Sequence, residues 1–311
     1  MKLISIIIPA YNEEKNIPLI YIELIKIFNK YLDKYNFELF FVDDGSIDGT
    51  LEEVNKLADV DKRVRGLSFS RNFGHQIALT AGYDLASGDA IISMDADMQD
   101  PPILIMDMLK KWENGIDIVY ARRINRKDGF LKKMTAGIYY ALLDRVSDVK
   151  IPRNVGDFRL IDKRVLSEII KCKEKFRYLR GMVAWVGFKS AFVDFDRPNR
   201  FNGQTGYTWK KMIKLAVDGF TGFSMFPLKL AAYIGTFVII TGFSMLLYVT
   251  YDFIAHATPY PLYKWLVIFV YIFMGVQFIL MWLIGEYIGR IHDQQKNRPL
   301  YIIDQKINLN E

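Results

Sequence analysis

Apolar residues recur with two different periods over the first two hundred positions, and further on they form two unbroken runs. Ile4-Ser5-Ile6-Ile7-Ile8 is a short β-branched stretch of the kind found in strands buried on both faces. Pro18 to Leu32 then carries Ile20, Leu24, Ile27/Phe28 and Tyr31 at helical spacing. The same alternation continues. Strands are expected at Phe37–Val42, Val64–Phe69, Ala90–Met94 and Ile116–Tyr120, and helices at Thr50–Ala58, His75–Ala86 and Ile103–Trp112. Strands separated by helices predict an α/β, Rossmann-like domain with a mainly parallel sheet.

The unbroken runs are Leu230 to Tyr251 and Trp265 to Gly285, neither with a charged residue. Each exceeds the roughly 18 residues expected of a membrane-spanning helix. Gly235, Gly242, Ser244 and Gly275 suit close helix packing in lipid. Pro259 and Pro261 lie between the runs, so the pair reads as a hairpin with spans at about 230–251 and 265–285. Lys210, Lys211, Lys214 and Lys229 precede it and Arg290, Lys296 and Arg298 follow, whereas only Lys264 sits at the loop end. The positive-inside rule then places both termini in the cytoplasm. The division expected is a catalytic domain over 1–228, a hairpin over 229–289 and a tail over 290–311. Leu3 to Ile8 stops at Pro9 and is too short for a signal peptide.

Composition narrows this further. The chain has 311 residues, 51% of them hydrophobic, and a net charge of +6, which excludes a disordered or collagenous chain. A single cysteine, Cys172, excludes a disulfide scaffold and a cysteine-rich metal site. His75, His256 and His292 have no metal-ligand spacing.

In parallel α/β sheets ligands sit beyond the carboxyl ends of the strands. The residues there are polar and mostly acidic: Pro9-Ala10-Tyr11-Asn12-Glu13-Glu14, Asp43-Asp44-Gly45-Ser46, Ser70-Arg71-Asn72-Phe73-Gly74, Asp95-Ala96-Asp97-Met98-Gln99-Asp100 and Arg122-Arg123. No Gly-x-Gly-x-x-Gly follows the first strand and no Walker A motif occurs, which counts against dinucleotide and P-loop sites. Asp95-x-Asp97 at a strand end offers two hard oxygen ligands, with Gln99 as a third, suited to Mg2+ or Mn2+ bridging a diphosphate.

Pro-Ala-Tyr-Asn-Glu, Val-Asp-Asp-Gly-Ser, Ser-Arg-Asn-Phe-Gly and Met-Asp-Ala-Asp-Met-Gln-Asp-Pro-Pro, in this order, resemble family 2 glycosyltransferases of the GT-A fold. With the hairpin, the chain is similar to polyprenyl-phosphate glycosyltransferases, the bactoprenol glucosyltransferase group related to dolichyl-phosphate mannose synthase. The resemblance extends to Arg298-Pro299-Leu300-Tyr301. It implies that Pro9, Tyr11, Glu13, Asp43, Asp44, Arg71, Asp95 and Ala96 bind the nucleotide sugar, and that Asp95, Asp97 and Gln99 hold Mg2+ or Mn2+. It also implies that Asp157 of Gly156-Asp157-Phe158-Arg159 and Arg200 of Arg200-x-x-Gly203-x-Thr205-x-Tyr207 join Asp97 as catalytic residues. Family members usually carry Lys where Gly206 stands here; Lys210 or Lys211 is a candidate replacement.

A phosphate acceptor is largely deprotonated at neutral pH and needs little help from a base. Asp157 is therefore open to a positioning role as well as to that of a base. Cations are needed to bring the phosphate to an anionic donor, and Arg122, Arg126, Lys132 and Lys133 are the candidates, with Thr205 as a further lipid-phosphate-binding residue. The expected reaction is an inverting displacement that moves a hexose, first choice from UDP-glucose, to undecaprenyl phosphate at the cytoplasmic face of a bacterial inner membrane. UDP-N-acetylhexosamine and GDP-mannose are alternative donors. Segments 131–147 and 208–224 have the pattern of amphipathic helices lying in the bilayer interface. The small residues in the spans permit association, the resemblance implies homo-oligomers up to a tetramer, and no nucleic-acid partner is expected. The competing readings are a processive polysaccharide synthase, disfavoured by the lack of Gln-x-x-Arg-Trp, and a non-catalytic membrane scaffold, disfavoured by the intact Asp-x-Asp.

Overall fold

The computed structural model describes residues 1–30, 34–124, 151–175, 177–196 and 262–309, with isolated positions between 237 and 255. Eight strands are present among them: β1 (Lys2–Ala10), β2 (Tyr35–Asp43), β3 (Val64–Phe69), β4 (Ala90–Ser93), β5 (Ile118–Arg123), β6 (Val155–Asp162), β7 (Ser190–Phe195) and β8 (Ile303–Ile307). They form one sheet in the order β7-β5-β6-β4-β1-β2-β3-β8. β1 pairs in parallel with β2 and β4, β2 with β3, and β5 with β7. β6 runs antiparallel between β4 and β5, and β8 antiparallel along β3. The α/β, mainly parallel architecture read from the sequence is what the chain adopts.

The sheet is buried on both faces because helices cover both. On one face, α1 (Ile17–Asn29), α2 (Thr50–Val60) and α4 (Leu104–Glu113) pack Ile20, Leu24, Val54, Leu109 and Trp112 against Ile4, Ile6 and Ile8. On the other, α3 (His75–Leu85), α5 (Lys163–Lys171) and α6 (Leu179–Trp185) pack Leu79, Leu166 and Met182 against Ile7 and Phe40. The four isoleucines of β1 are wholly buried, each stabilising the fold by about 1.5–3 kcal/mol relative to exposure. Ser5, on the same strand, is tolerated there because its hydroxyl donates a hydrogen bond to buried Glu38, and Arg65 neutralises Glu38 at 3.0 Å.

The run Trp265–Gly285 lies inside α7 (Leu262–Gln295), a continuous helix of 34 residues. Phe273, Met274, Met281 and Ile284 are exposed on it. Among the described residues, no helix is long and apolar enough to cross a membrane. Most of the first run lies outside the described residues, so the hairpin rests on the sequence alone. The expected tail is more ordered than a tail: after α7 the chain returns to the sheet as β8.

Candidate active site

The loops after β1, β2, β3 and β4 meet at one edge of the sheet and are stitched together by hydrogen bonds. Asn12 adopts a left-handed conformation (φ 57°), and its backbone N–H donates to Ser46 Oγ at 2.9 Å. Its side-chain oxygen accepts from Ile47 N–H at 3.0 Å. Glu13 N–H donates to Thr50 Oγ1 at 2.8 Å. Asp43 accepts from Ser46 N–H and from the Ser68 hydroxyl at 2.7 Å, tying β2 to β3. Asp44 accepts the backbone N–H groups of Phe73 at 2.7 Å and Gly74 at 2.9 Å. Desolvation raises the Asp44 pKa, and these two backbone donors oppose the rise. Gly45 is required here: φ is +67°, and a Cβ would lie 2.4 Å from the Arg71 carbonyl carbon. The expected donor residues Pro9, Tyr11, Glu13, Asp43, Asp44 and Arg71 are thus brought to one rim. Tyr11 is exposed, and the Arg71 guanidinium lies over the Phe73 ring at 4.1 Å.

The adjacent loop carries the acidic motif. Met94 to Asp100 turns back on itself through Met98, whose φ of 60° is unusual for a residue with a side chain. Gln99 N–H donates to Asp97 Oδ1 at 3.1 Å, and Asp95 N–H to Asp100 Oδ2 at 3.2 Å. Ala96 and Asp97 are buried between these turns. Asp95 Oδ1 and Asp100 Oδ1 are buried without a hydrogen-bond donor, and Arg123 Nε–H beside them is buried without an acceptor. Arg123 Nη2 approaches Asp100 at 3.7 Å, and Gly156 leaves room for it, since a Cβ there would sit 3.0 Å from that nitrogen. Desolvation and then the Asp95 charge push Asp100 up to about 7. Such unmet capacity in a carboxylate cluster marks a place for a cation. Among the described residues no three His, Cys, Asp or Glu side chains form a complete metal cage. The donor set nevertheless fits Mg2+ or Mn2+, because such ions take one or two protein carboxylates and fill the remaining positions with water and phosphate oxygens.

Beyond Asp95 lies a cluster the sequence only half revealed. Strand alternation in β6 turns Phe158 and Leu160 to one core and Asp157 and Arg159 toward α3 and α6. The Asp157 carboxylate is buried and surrounded by donors. Arg159 Nη2 contacts Oδ1, and Arg180 reaches Oδ1 at 3.2 Å and Oδ2 at 2.9 Å. Gln76 Nε2 donates to Oδ2 at 3.2 Å, and His75 Nε2 stands 3.3 Å from Oδ2 and 3.5 Å from Asp95 Oδ1. Desolvation opposes charge on Asp157, but Arg180, His75 and Arg159 overcome it and hold the carboxyl well below the usual range. Desolvation likewise lowers the His75 pKa, yet the bond to Asp157 and the charges of Asp95 and Asp157 raise it to about 9. The His75 side chain is nevertheless 41% exposed. A carboxylate so fully engaged is a poor proton acceptor and a good anchor for cations. Arg180 was not anticipated from the sequence, and His75, next to the Ser-Arg-Asn-Phe-Gly loop, was not among the expected site residues.

Arg122 is paired with Asp194 through Nε at 2.6 Å and Nη2 at 2.9 Å, and lies 4.6 Å from the Phe192 ring centre. Arg126, Lys132, Lys133, Arg200 and Thr205 lie outside the described residues, as do segments 131–147 and 208–224.

The family model described as glycosyl transferase family 2 matches residues 5–170, the span from β1 through the acidic loop, β6 and α5. The chain belongs to glycosyl transferase family 2. An uncharacterized glycosyltransferase of Bacillus subtilis (strain 168) is 45% identical over 306 residues, 98% of this chain and 94% of that protein. The SfII prophage-derived bactoprenol glucosyl transferase of Shigella flexneri is 41% identical over 301 residues, covering 96% of this chain and 97% of that protein. Among solved structures, glucosyl-3-phosphoglycerate synthase from Mycobacterium tuberculosis, in complex with Mn2+, UDP-glucose and phosphoglyceric acid, is 19% identical. It covers 70% of this chain and 76% of that one, with a TM-score of 0.48. The matched region holds the acidic strand end, and Asp157 and His75 also fall within it.

Proposed function

We propose that the protein transfers a hexose, first choice glucose from UDP-glucose, to polyprenyl phosphate with inversion at the anomeric carbon. One observation carries the reading: the carboxylates of Asp95 and Asp97 stand at the end of β4 next to the cationic cluster that Asp157 gathers. The 41% identity over nearly the full length of a bactoprenol glucosyl transferase supports the choice of sugar and acceptor. Asp95 and Asp97, with Gln99, would hold Mg2+ or Mn2+, which would supply positive charge toward a leaving diphosphate. The rim built from Asp43, Asp44, Gly45 and Arg71 receives the nucleotide. His75 and Arg180, both held by Asp157, present positive charge where a donor diphosphate and an acceptor phosphate must approach each other. The acceptor oxygen is already ionised at neutral pH. Asp157 therefore aligns cations and need not remove a proton. Arg122, Arg126, Lys132, Lys133 and Thr205 are proposed to receive the lipid phosphate, and Arg200 to close over the substrates.

The apolar runs 230–251 and 265–285 are proposed to form a membrane hairpin, with 131–147 and 208–224 in the interface and the site facing the cytoplasm of a bacterium. Assembly into a tetramer through the hairpin belongs to the same proposal. The test is a panel of labelled UDP-glucose, UDP-N-acetylhexosamines and GDP-mannose, each offered with undecaprenyl phosphate in detergent with Mg2+ or Mn2+. Label entering lipid from UDP-glucose, lost with chelator, supports the reading. Transfer from another sugar alone corrects the donor, and no transfer from any donor overturns the reaction.

A further inference from the structure

The C-terminal strand touches the loop assigned to the nucleotide. β8 pairs with β3 from Gly66↔Ile307 to Phe69↔Ile303, with a register shift between Ser68 and Phe69. Ser70 N–H extends the contact by donating to Ile302 C=O at 3.1 Å. Immediately before the strand, the Tyr301 ring stacks on Phe69 with centroids 5.1 Å apart and planes at 24°. Phe69 meets Phe73 edge-on at 5.5 Å and 81°. Phe73 in turn lies under the Arg71 guanidinium and gives its backbone N–H to Asp44. The Tyr301 hydroxyl is fastened at 3.1 Å to Asp84 on α3. An unbroken series of ring contacts therefore runs from a residue near the end of the chain to both Arg71 and Asp44.

We propose that Tyr301 is a positioning residue for the nucleotide donor: from the C-terminal strand it clamps Phe69 and Phe73, fixing the loop that presents Arg71 and is tied to Asp44. The proposal rests on the donor-site reading above. It gives the segment after α7 a role in the reaction. Only Lys296 to Ile302 separates the long apolar helix from the strand, so the donor loop and that helix are tied through one short connection.

The full-length protein is compared with Tyr301→Phe, which keeps the ring and loses the hydroxyl, and with Tyr301→Leu and Tyr301→Ala, which lose the stack. UDP binding with Mn2+ is measured by titration calorimetry, and transfer kinetics are measured for donor and lipid separately. Tyr301→Leu and Tyr301→Ala should weaken UDP binding and raise the donor KM about three- to tenfold, the size of one aromatic pair. The lipid KM and kcat should stay within about twofold, and Tyr301→Phe should bind UDP as the parent does. A thermal melt identifies which of the two stack-deleting variants is folded and carries the comparison. Parent-like UDP binding in a folded stack-deleting variant overturns the proposal. Equal losses in donor and lipid KM overturn it too, by showing a general loosening. A parent protein that binds no UDP overturns the donor-site reading as well, so the two failures are distinguishable.

Discussion

Replacing Asp157 by Ala should unfold the site before it informs on chemistry. Arg159 is wholly buried, and its partners are the Asp157 carboxylate and two carbonyls at 3.4 Å, those of Asp157 itself and Leu179. Deleting the carboxylate leaves that guanidinium without its counter-charge, and takes an anionic partner from Arg180 and His75 as well. Breaking a buried pair from one side costs about 3–5 kcal/mol. For a protein of this size that is a fall in Tm of roughly 6–20 °C. Asp157→Asn keeps an acceptor for Arg159 and should lose less. Adding Arg159→Met to Asp157→Asn removes the stranded charge and should recover part of the loss. The assay is a thermal melt of the three variants in detergent, alongside transfer measured from pH 5 to 8. A carboxyl held below its usual range contributes stability that is present above the unfolded value of about 3.9. That contribution is lost only as the pH falls through the lower folded value, so Asp157 should cause no change between pH 5 and 8. An acid limb of activity near pH 6–7 then belongs to the acceptor phosphate and to Asp100, which burial pushes up to about 7, and should survive in Asp157→Asn. An Asp157→Ala protein that melts with the parent, or an acid limb that disappears in Asp157→Asn, would refute the anchoring role.

Other expectations follow from the same geometry. His75 should titrate near pH 9; its positive charge, and the stability it lends, are complete below about 6.5 and lost as the pH rises through 9. Imidazole NMR signals assigned with His75→Asn check this, and a midpoint near 6.5 contradicts it. Gly45→Ala should raise the donor KM at least tenfold, because the added methyl meets the Arg71 backbone; donor kinetics at parent values would show that the loop gives way. Arg122→Ala should leave the thermal melt close to the parent's, its pair with Asp194 being exposed on both sides. Its lipid KM should rise while the donor KM holds, and the reverse split would move Arg122 out of the acceptor site.

The parallel core was legible because Ile4 to Ile8 and the strands that flank it are apolar on both faces, and because each ends in a polar loop. β6 was not, since Asp157 and Arg159 interrupt its pattern with charges that are buried only because each satisfies the other. β8 escaped notice for a different reason. Ile303-Asp304-Gln305-Lys306-Ile307 is a mostly polar edge strand whose partner, β3, lies more than two hundred residues earlier. The acidic loop was readable from Asp95-x-Asp97 and its place at a strand end. His75 could have been found from its position just after the Ser-Arg-Asn-Phe-Gly loop. Arg180 could not, because only the packing of α6 beside β6 brings it to Asp157.

The most direct test of lipid-phosphate transfer varies the acceptor and identifies the product. Undecaprenyl phosphate, undecaprenol and no lipid are each offered with labelled UDP-glucose to the parent and to Asp97→Asn. The expected result is one product by mass spectrometry, a hexose joined through phosphate to undecaprenol, with the β configuration read from its anomeric NMR coupling. It should form only from the phosphorylated lipid and be absent with Asp97→Asn. Label appearing in a polymer, in undecaprenol, or equally with the substituted protein would contradict it.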